Sequence, residues 1–457
     1  MQESKKKVHF IAIAGSVMHN LAVALKSAGH HVTGSDDEIF EPSKSTLQAH
    51  GLLPEKNGWY PEKITADIDT VIVGMHASIN NPELLKAQEL NLNIVSFPEF
   101  IYQQSLNKQR IVIAGSHGKT TITSMIVHVL NFYKRKFDYV VGAKVPGLEN
   151  TVQLSDAPII LIEGDEYLAS PLNPTPKFLL YHHHIGIISG IAWDHANVFP
   201  SEDEYVKQFD VFADQTPKGG ILIYCEEDPM TMMIGKKERA DVLAISYKTH
   251  AHGTDANGKG YLTVAKEKYP LEVFGNHNYQ NISAARELLK KIGISTEQFY
   301  KAISSFKGAA GRLEKIASND SFALFKDFAH APSKVKATVK AVKDVSSTRD
   351  VVACYELHTY SSLSKNFLPQ YKNTLKDAKT AIVYVNPEKL KAKQLPEITA
   401  AEIKKAFNNE NIVVFNSAQA LEEYLHQQDW KNKNLLMMSS GNFGGLDLKG
   451  LANKLIA

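Results

Sequence analysis

Residues Ile111–Val129 read IVIAGSHGKTTITSMIVHV, and the order of parts in this stretch decides the fold. Ile111–Ala114 is an uninterrupted apolar run, the mark of a parallel strand buried on both faces. Gly115-Ser116-His117-Gly118-Lys119-Thr120-Thr121 follows, and Ile122, Met125, Ile126 and Val129 then recur at helical spacing. Strand, glycine turn, Lys-Thr and helix together form the layout of a phosphate-binding loop. The glycines let the backbone turn tightly, so that its N–H groups point at one spot, and the helix N-terminus adds partial positive charge there. In this layout Lys119 meets the β- and γ-phosphates of a nucleotide and the Thr120 hydroxyl ligates Mg²⁺. The common pattern G-x-x-x-x-G-K-[ST] is shortened here to G-S-H-G-K-T. The structural alternative is a tight βα turn with an exposed lysine.

Upstream of this stretch, residues 8–14 (VHFIAIA), His31–Ser35, Thr70–Gly74 and Leu92–Ser96 read as strands. Met18–Ala28 and Pro82–Leu90 read as helices between them. Such alternation predicts a parallel sheet, whose ligands sit beyond the carboxyl ends of the strands, near Gly15, Asp36 and Gly74–Ser78. Gln104–Gln109 is polar and is expected to link this unit to the next. Downstream, strands are expected at Ile159–Glu163, Gly186–Gly190 and Ile221–Cys225, a hairpin turn at Gly253–Gly260, and a helix over Asn278–Ile292. Phe306–Leu313, rich in Gly and Ala, reads as a second linker. A third unit shows strands at Ala323–Lys326, Asp350–Cys354, Thr380–Val385, Ile412–Phe415 and Asn434–Ser439. The fold class is α/β throughout.

The chain has 457 residues, 44% of them hydrophobic and 22% charged, with a net charge of +2. That is the composition of an ordinary globular protein of several domains. The charge gives no general attraction to nucleic acid, so anionic ligands must be met by local groups. No apolar run is long enough for a membrane span, and the basic start leads into a short first strand rather than a signal peptide. Two cysteines, Cys225 and Cys354, support neither a disulfide framework nor a cysteine metal site. A reducing cytoplasm fits.

Several further groups carry candidate chemistry. In Ile159–Glu166 (IILIEGDE) acids follow a buried strand, where a carboxylate oxygen holds Mg²⁺ in phosphoryl-transfer sites. Glu163 is the first choice, with Asp165 and Glu166 in an outer shell; a solvated acidic turn is the alternative. Trp193-Asp194-His195 follows another apolar run, and His195 is a candidate for a second Mg²⁺ or for a phosphate. His182–His184, read as part of a strand, would point to opposite faces and lacks the companions of a zinc site. Asn276, Asn278 and Asn281 precede or open a helix, where an amide serves either an adenine edge or a cap. Arg312 in the second linker suits a phosphate, and Lys326-Asp327-Phe328-Ala329-His330 ends a third-unit strand.

The ordered set GSHGKTT, IEGDE, WDHANVF, GNHNYQN, GRLE and KDFAHAP resembles the Mur ligases, from about His9 to Lys454. The resemblance implies three domains: an N-terminal Rossmann-like UDP-binding domain (1–108), a central P-loop ATPase-like domain (109–312) and a C-terminal Rossmann-like domain for an amino acid or peptide (313–457). It implies a cytoplasmic ATP- and Mg²⁺-dependent ligase of peptidoglycan synthesis or recycling. Such an enzyme activates the carboxylate of UDP-N-acetylmuramate as an acyl phosphate and lets an amine displace phosphate. By this resemblance Gly115, Ser116, His117, Gly118, Lys119, Thr120 and Thr121 hold ATP, with His277, Asn278, Asn281, Arg312 and Asp327. Thr120, Glu163 and His195 hold metal, and Lys119, His195, Arg312 and His330 serve the reaction. Gly15, Ser16, Ser35, Asp36, His76 and Ser78 hold the nucleotide sugar, and His358 and Tyr360 the amine. Oligomeric state stays open.

Two branches of the family compete. VTGSD (Val32–Asp36), NNPE (Asn80–Glu83), GDEY (Gly164–Tyr167) and SGNFGG (Ser440–Gly445) look like the branch that joins UDP-N-acetylmuramate to the murein tripeptide L-alanyl-γ-D-glutamyl-meso-diaminopimelate. ELHTYSS (Glu356–Ser362) is similar to a segment of the L-alanine branch, but Thr359 and Ser362 replace its arginines. The expectation is therefore the tripeptide, with Tyr360, Ser361 and Ser362 offering neutral hydroxyls to a longer ligand. L-alanine ligation is the alternative, and an inactive nucleotide-binding relative acting as sensor or scaffold is the second. Departures from the family pattern are His19 and Asn20, where small residues are expected, Gly311 before Arg312, and Ala331 after His330.

Overall fold

The structure is a computed structural model that describes residues 5–255, 259–345 and 348–456. The chain divides into two compact units, one holding the chain up to Ile191 together with Val206–Ser246, the other Ala192–Tyr205 with the chain from Tyr247 onward.

The first unit contains two sheets. Strands β1 (Lys7–Ile11), β2 (His31–Ser35), β3 (Thr70–Val73) and β4 (Ile94–Ser96) form a parallel sheet in the order β2-β1-β3-β4. The helix over Pro82–Glu89 starts as the sequence dictates, with Asn81 accepting from Glu83 N at 2.9 Å and Leu84 N at 3.1 Å and Pro82 at the first helical position. Ser96 and Glu99 form a capping box at the Phe97–Gln104 helix. The second sheet is built from β5 (Gln109–Ala114), β6 (Asp138–Val140), β7 (Val152–Gln153), β8 (Ile159–Glu163), β9 (Ile185–Ile188), β10 (Ile221–Cys225) and β11 (Leu243–Tyr247), in the order β11-β10-β9-β5-β8-β6-β7. β5 is central and parallel to both neighbours, with Ile113 opposite Glu163 and Ala114 opposite Ile188. Ile111, Val112, Ile113 and Ala114 are fully buried, as a central strand of such a sheet must be.

The second unit carries a small antiparallel sheet of β12 (His252–Thr254), β13 (Gly260–Val264) and β14 (Glu267–Pro270). Its larger sheet uses β15 (Glu314–Ser318), β16 (Phe322–Asp327), β17 (Asp350–Leu357), β18 (Thr380–Val385), β19 (Val413–Phe415) and β20 (Lys433–Met438), in the order β15-β16-β20-β17-β18-β19. All pairs are parallel except β15 with β16. Apolar clusters cover both faces, one around Phe367, Tyr371 and Phe407 and the other around Trp430, Leu435 and Met437.

Three expectations need correction. The first strand stops at Ile11 rather than Ala14, because Ala12 turns to φ 66° and the amides of Ala12 and Ile13 bond to Ser35 O at 3.0 and 3.1 Å. His182–His184 is not strand: a 3₁₀ turn over Lys177–Tyr181 ends at His182 in the left-handed region (φ 46°). The Asn278 helix begins earlier, spanning Asn276–Lys291. Part of the Gly253–Gly260 turn lies outside the described residues, while its flanking strands pair antiparallel. Among the described residues no helix is long and apolar enough to cross a membrane.

Candidate functional site

The loop after β5 is shaped by two glycines that no other residue replaces without strain. Gly115 has φ 133° and a Cβ there would stand 2.1 Å from Ser189 Oγ, while Gly118 sits in the left-handed region at φ 81°. Ser116 N donates to Gly190 O at 2.9 Å, Ser189 N to Ala114 O at 3.0 Å, and the Ser189 hydroxyl to Ala114 O and His117 O. The end of β9 thus clamps the loop from one side. The His117 ring lies on Gly190, where a Cβ would come within 2.3 Å of it. Lys119 opens the Lys119–Phe132 helix, which no side chain caps. Thr120 and Thr121 are buried in its first turn.

Lys119 Nζ donates to Gly115 O at 2.5 Å and to Glu166 Oε2 at 2.7 Å. Burial pulls its pKa down, but Glu166, with Asp165 and Glu163 nearby, outweighs that and holds it above the ordinary lysine value. The Thr120 hydroxyl donates to Glu163 Oε1, and Gly142 N to Glu163 Oε2 at 2.7 Å. Asp165 pairs with Lys177 at 2.7 Å. An uncapped helix end, a fixed cationic lysine and a hydroxyl against a carboxylate at one loop fit a nucleotide phosphate and a hard cation. Among the described residues no three His, Cys, Asp or Glu groups form a preformed cage. Mg²⁺ is ordinarily held by one or two protein oxygens plus phosphates rather than by such a cage.

In the second unit Asp194, His195, His330 and Lys334 meet. Asp194 Oδ1 accepts from His195 N at 2.8 Å and holds that residue in the left-handed region (φ 56°). Asp194 is buried, and its Oδ2 has no hydrogen-bond partner. That oxygen faces His330 Nε2 at 3.5 Å and Lys334 Nζ at 3.7 Å. Burial would raise the Asp194 pKa, but the facing His330 and Lys334, with His195, hold it well below the usual carboxylate range. His330 Nδ1 donates to Phe328 O at 2.9 Å, and Lys334 Nζ lies 3.3 Å from Nε2. Burial and then the Lys334 charge push the His330 pKa down. Tyr355 Oη and Tyr371 Oη both donate to the His330 carbonyl, at 2.7 and 2.5 Å, fixing its backbone.

The remaining expected residues fall into separate places. Asn278 Nδ2 donates to Phe274 O at 2.7 Å, so it does not cap its helix, and the cap position is Gly275 with φ 92°. Burial lowers the His277 pKa against a smaller opposing effect of Asp327, and Asn281 is buried on the same helix. Asp327 is engaged within the chain: Oδ2 accepts from Leu313 N at 2.6 Å, Oδ1 from Ala329 N at 2.7 Å and Thr338 Oγ1 at 3.3 Å. Its carboxylate ties the linker to β16. The Arg312 guanidinium lies over the Phe328 ring at 4.5 Å.

At the carboxyl end of the first sheet, Asp36 Oδ2 accepts from Ala14 N at 2.8 Å. Burial, with the neighbouring Asp37, pushes its pKa up to about 6. Ser35 is fully buried, Ser16, His76 and Ser78 are exposed, and Gly15 is half-buried. His19 Nδ1 donates to Gly15 O at 2.8 Å, and Asn20 Nδ2 to Ser16 O at 3.1 Å and His19 Nε2 at 2.7 Å. These two side chains, standing where small residues were expected, fold back onto the loop that precedes them. At the carboxyl end of the last sheet, buried Glu356 accepts from Ser439 Oγ and from Phe443 N at 2.8 Å, and faces His358 Nδ1 at 3.4 Å. Ser361 Oγ accepts from Ala196 N at 3.1 Å, and Ser362 Oγ from His358 N at 2.9 Å and Thr359 Oγ1 at 3.0 Å. Both hydroxyls expected to greet a longer ligand are thus used within the protein, and of that group only Tyr360 stands exposed. Ser189, Lys334 and Glu356 were not singled out from sequence.

Residues 7–109 match the Mur ligase family catalytic domain and residues 113–289 the Mur ligase middle domain. The UDP-N-acetylmuramate–L-alanine ligase of Carboxydothermus hydrogenoformans is 30% identical over 97% of this chain and 95% of its own. The UDP-N-acetylmuramate–L-alanyl-γ-D-glutamyl-meso-2,6-diaminoheptandioate ligase of Haemophilus influenzae is 26% identical over 97% of this chain and 98% of its own. The crystal structure of a UDP-N-acetylmuramate–alanine ligase from Thermotoga maritima superposes with a TM-score of 0.69 at 20% identity, covering 98% of each chain. The weight of similarity therefore falls on the L-alanine branch rather than on the tripeptide branch that the sequence motifs favoured.

Proposed function

The chain belongs to the Mur ligase family of ATP-dependent amide-bond ligases, and from that premise we propose that it joins L-alanine to the carboxylate of UDP-N-acetylmuramate in the cytoplasm. The single observation that carries the ligase reading is the loop at Gly115–Thr121 with Lys119 paired to Glu166 and Thr120 bonded to Glu163. The choice of L-alanine is supported by the higher identity to a relative of that name across nearly the whole chain. The three domains are drawn as 1–108, 109–312 and 313–457.

When bound, ATP supplies the phosphoryl group that activates the carboxylate, and Mg²⁺ neutralises phosphate charge; Thr120 and Glu163 are the residues that would hold one Mg²⁺, and His195 a second. Lys119 places a fixed positive charge at the loop, where it stabilises charge that develops during transfer. The backbone N–H groups at the loop and helix start orient phosphate oxygens. Arg312, His277, Asn278 and Asn281 are assigned to the nucleotide, and Gly15, Ser16, Ser35, Asp36, His76 and Ser78 to the UDP-sugar. His358 and Tyr360 orient the amine.

A second reading, ligation of the murein tripeptide, is favoured by one specific observation: Thr359 and Ser362 stand where the L-alanine branch has arginines. A phosphate-release assay with ATP, Mg²⁺ and UDP-N-acetylmuramate, offering each amine in turn, tests the proposal. Release dependent on L-alanine supports it, a strong preference for the tripeptide transfers it to the second reading, and no release with either amine refutes the ligase reading.

A further inference from the structure

The second unit contains a buried carboxylate whose outward oxygen is left without a hydrogen bond. Asp194 Oδ2 is 3.5 Å from His330 Nε2 and 3.7 Å from Lys334 Nζ, and bonds to neither. Its other oxygen accepts from the His195 backbone N–H. A buried, unsatisfied carboxylate oxygen is costly and rare, and where one persists a ligand or ion commonly completes it. Of the two groups that face it, the one on a flexible stem is a primary ammonium, and that stem comes from a helix, Pro332–Val345, whose first turn carries Lys334. His330 is held more tightly than Lys334, since its Nδ1 is bonded to Phe328 O and its carbonyl accepts from two tyrosine hydroxyls.

We propose that Asp194 is the seat for the ammonium nitrogen of the incoming amine, and that the Lys334 side chain stands in for that ammonium when no amine is bound. The proposal rests on the ligase reading and adds to it the residue that grips the nucleophile. The chemistry matches the ligand class. The α-ammonium of an amino acid or of a peptide N-terminus has three donors and one positive charge. A carboxylate with a free oxygen, shielded from water, binds such a group more strongly than an exposed one does. Lys334, on a long flexible stem, can leave; a short fixed donor could not. Once the seated ammonium has given a proton to solvent, the held nitrogen presents its lone pair to the acyl carbonyl carbon, the new C–N bond forms and phosphate leaves.

The test compares two nucleophiles in one enzyme. Hydroxylamine is neutral near pH 7.5 and attacks an acyl phosphate directly, giving a hydroxamate and phosphate. Wild-type enzyme with MgATP and UDP-N-acetylmuramate is assayed with hydroxylamine and, separately, with whichever of L-alanine and the tripeptide it prefers. In Asp194→Asn the ratio of amine ligation to hydroxamate formation is expected to fall at least tenfold, because only the ammonium needs the carboxylate. In Lys334→Met the KM for the amine is expected to fall severalfold, and the amine should raise the thermal midpoint more than it does in wild type. An unchanged ratio in Asp194→Asn overturns the proposal. If that variant does not fold, an unchanged or raised amine KM in Lys334→Met overturns it. No hydroxamate from the wild-type enzyme would sink the ligase reading itself, a result distinguishable from loss of the ratio.

Discussion

Replacing Lys119 by Met separates what that lysine does for catalysis from what it does for stability. Its ammonium lies 2.7 Å from Glu166 Oε2, and the Glu166 side chain is only 2% exposed. At that distance and an effective dielectric of about 20 the attraction is roughly 6 kcal/mol before desolvation. Removing one partner of a buried pair leaves the other uncompensated, a net cost of about 3–5 kcal/mol. The Lys119 side chain keeps 17% exposure, so the low end, about 3 kcal/mol, is expected. Turnover should drop ~10²–10³-fold, because a preorganised charge aimed at the transferring group is gone. The control is Lys119→Met with Glu166→Gln, in which no buried charge is stranded. Urea unfolding followed by fluorescence should show the single variant destabilised and the double variant restored most of the way, while phosphate release stays low in both. Recovery of turnover in the double variant, or an unchanged unfolding midpoint in Lys119→Met, would refute the reasoning.

Glu163→Gln keeps an oxygen for Gly142 N but loses the charge. The Mg²⁺ concentration for half-maximal activity should rise about tenfold, read from a metal titration at fixed ATP. Burial pushes the Asp36 pKa up to about 6 from an ordinary 3.8, so between these values the folded state holds a proton that the unfolded chain releases. The stability this gives is complete below about pH 4 and is lost as pH rises through about 6, by roughly 3 kcal/mol at most. The thermal midpoint of Asp36→Asn should lack this decline relative to wild type between pH 4 and 7, and a parallel pair of curves would count against it. Gly190→Ala drives a methyl to within 2.3 Å of the His117 ring. It should cost about 1–3 kcal/mol and raise the KM for ATP severalfold; a wild-type KM would mean that His117 does not shape the loop.

The parallel strands were readable because each is covered on both faces and so appears as a plain apolar run: Ile159–Glu163, Ile221–Cys225 and Thr380–Val385 match to the residue. The loop was readable because its glycines, lysine and threonine fall in one short run, Gly115–Thr120. What sequence did not reveal depends on partners far apart in the chain. Ser189 reaches Ala114 and His117 across 75 and 72 residues, and a serine after an apolar strand carries no mark of such a role. Lys334 sits on the polar side of an ordinary amphipathic helix, and only the fold brings it to Asp194. The hydroxyls of Ser361 and Ser362 looked available because sequence shows a side chain's chemistry but not its occupation; both are bonded internally. The end of the first strand at Ala12 was missed because a left-handed alanine follows no propensity.

The most direct test of the account is the rate of phosphate release by the purified chain with ATP, Mg²⁺ and UDP-N-acetylmuramate, measured with L-alanine and repeated with Lys119→Met. The account predicts amine-dependent release by the wild-type chain that falls by about two orders of magnitude or more in the variant. Release that neither needs the amine nor responds to loss of Lys119 would contradict it.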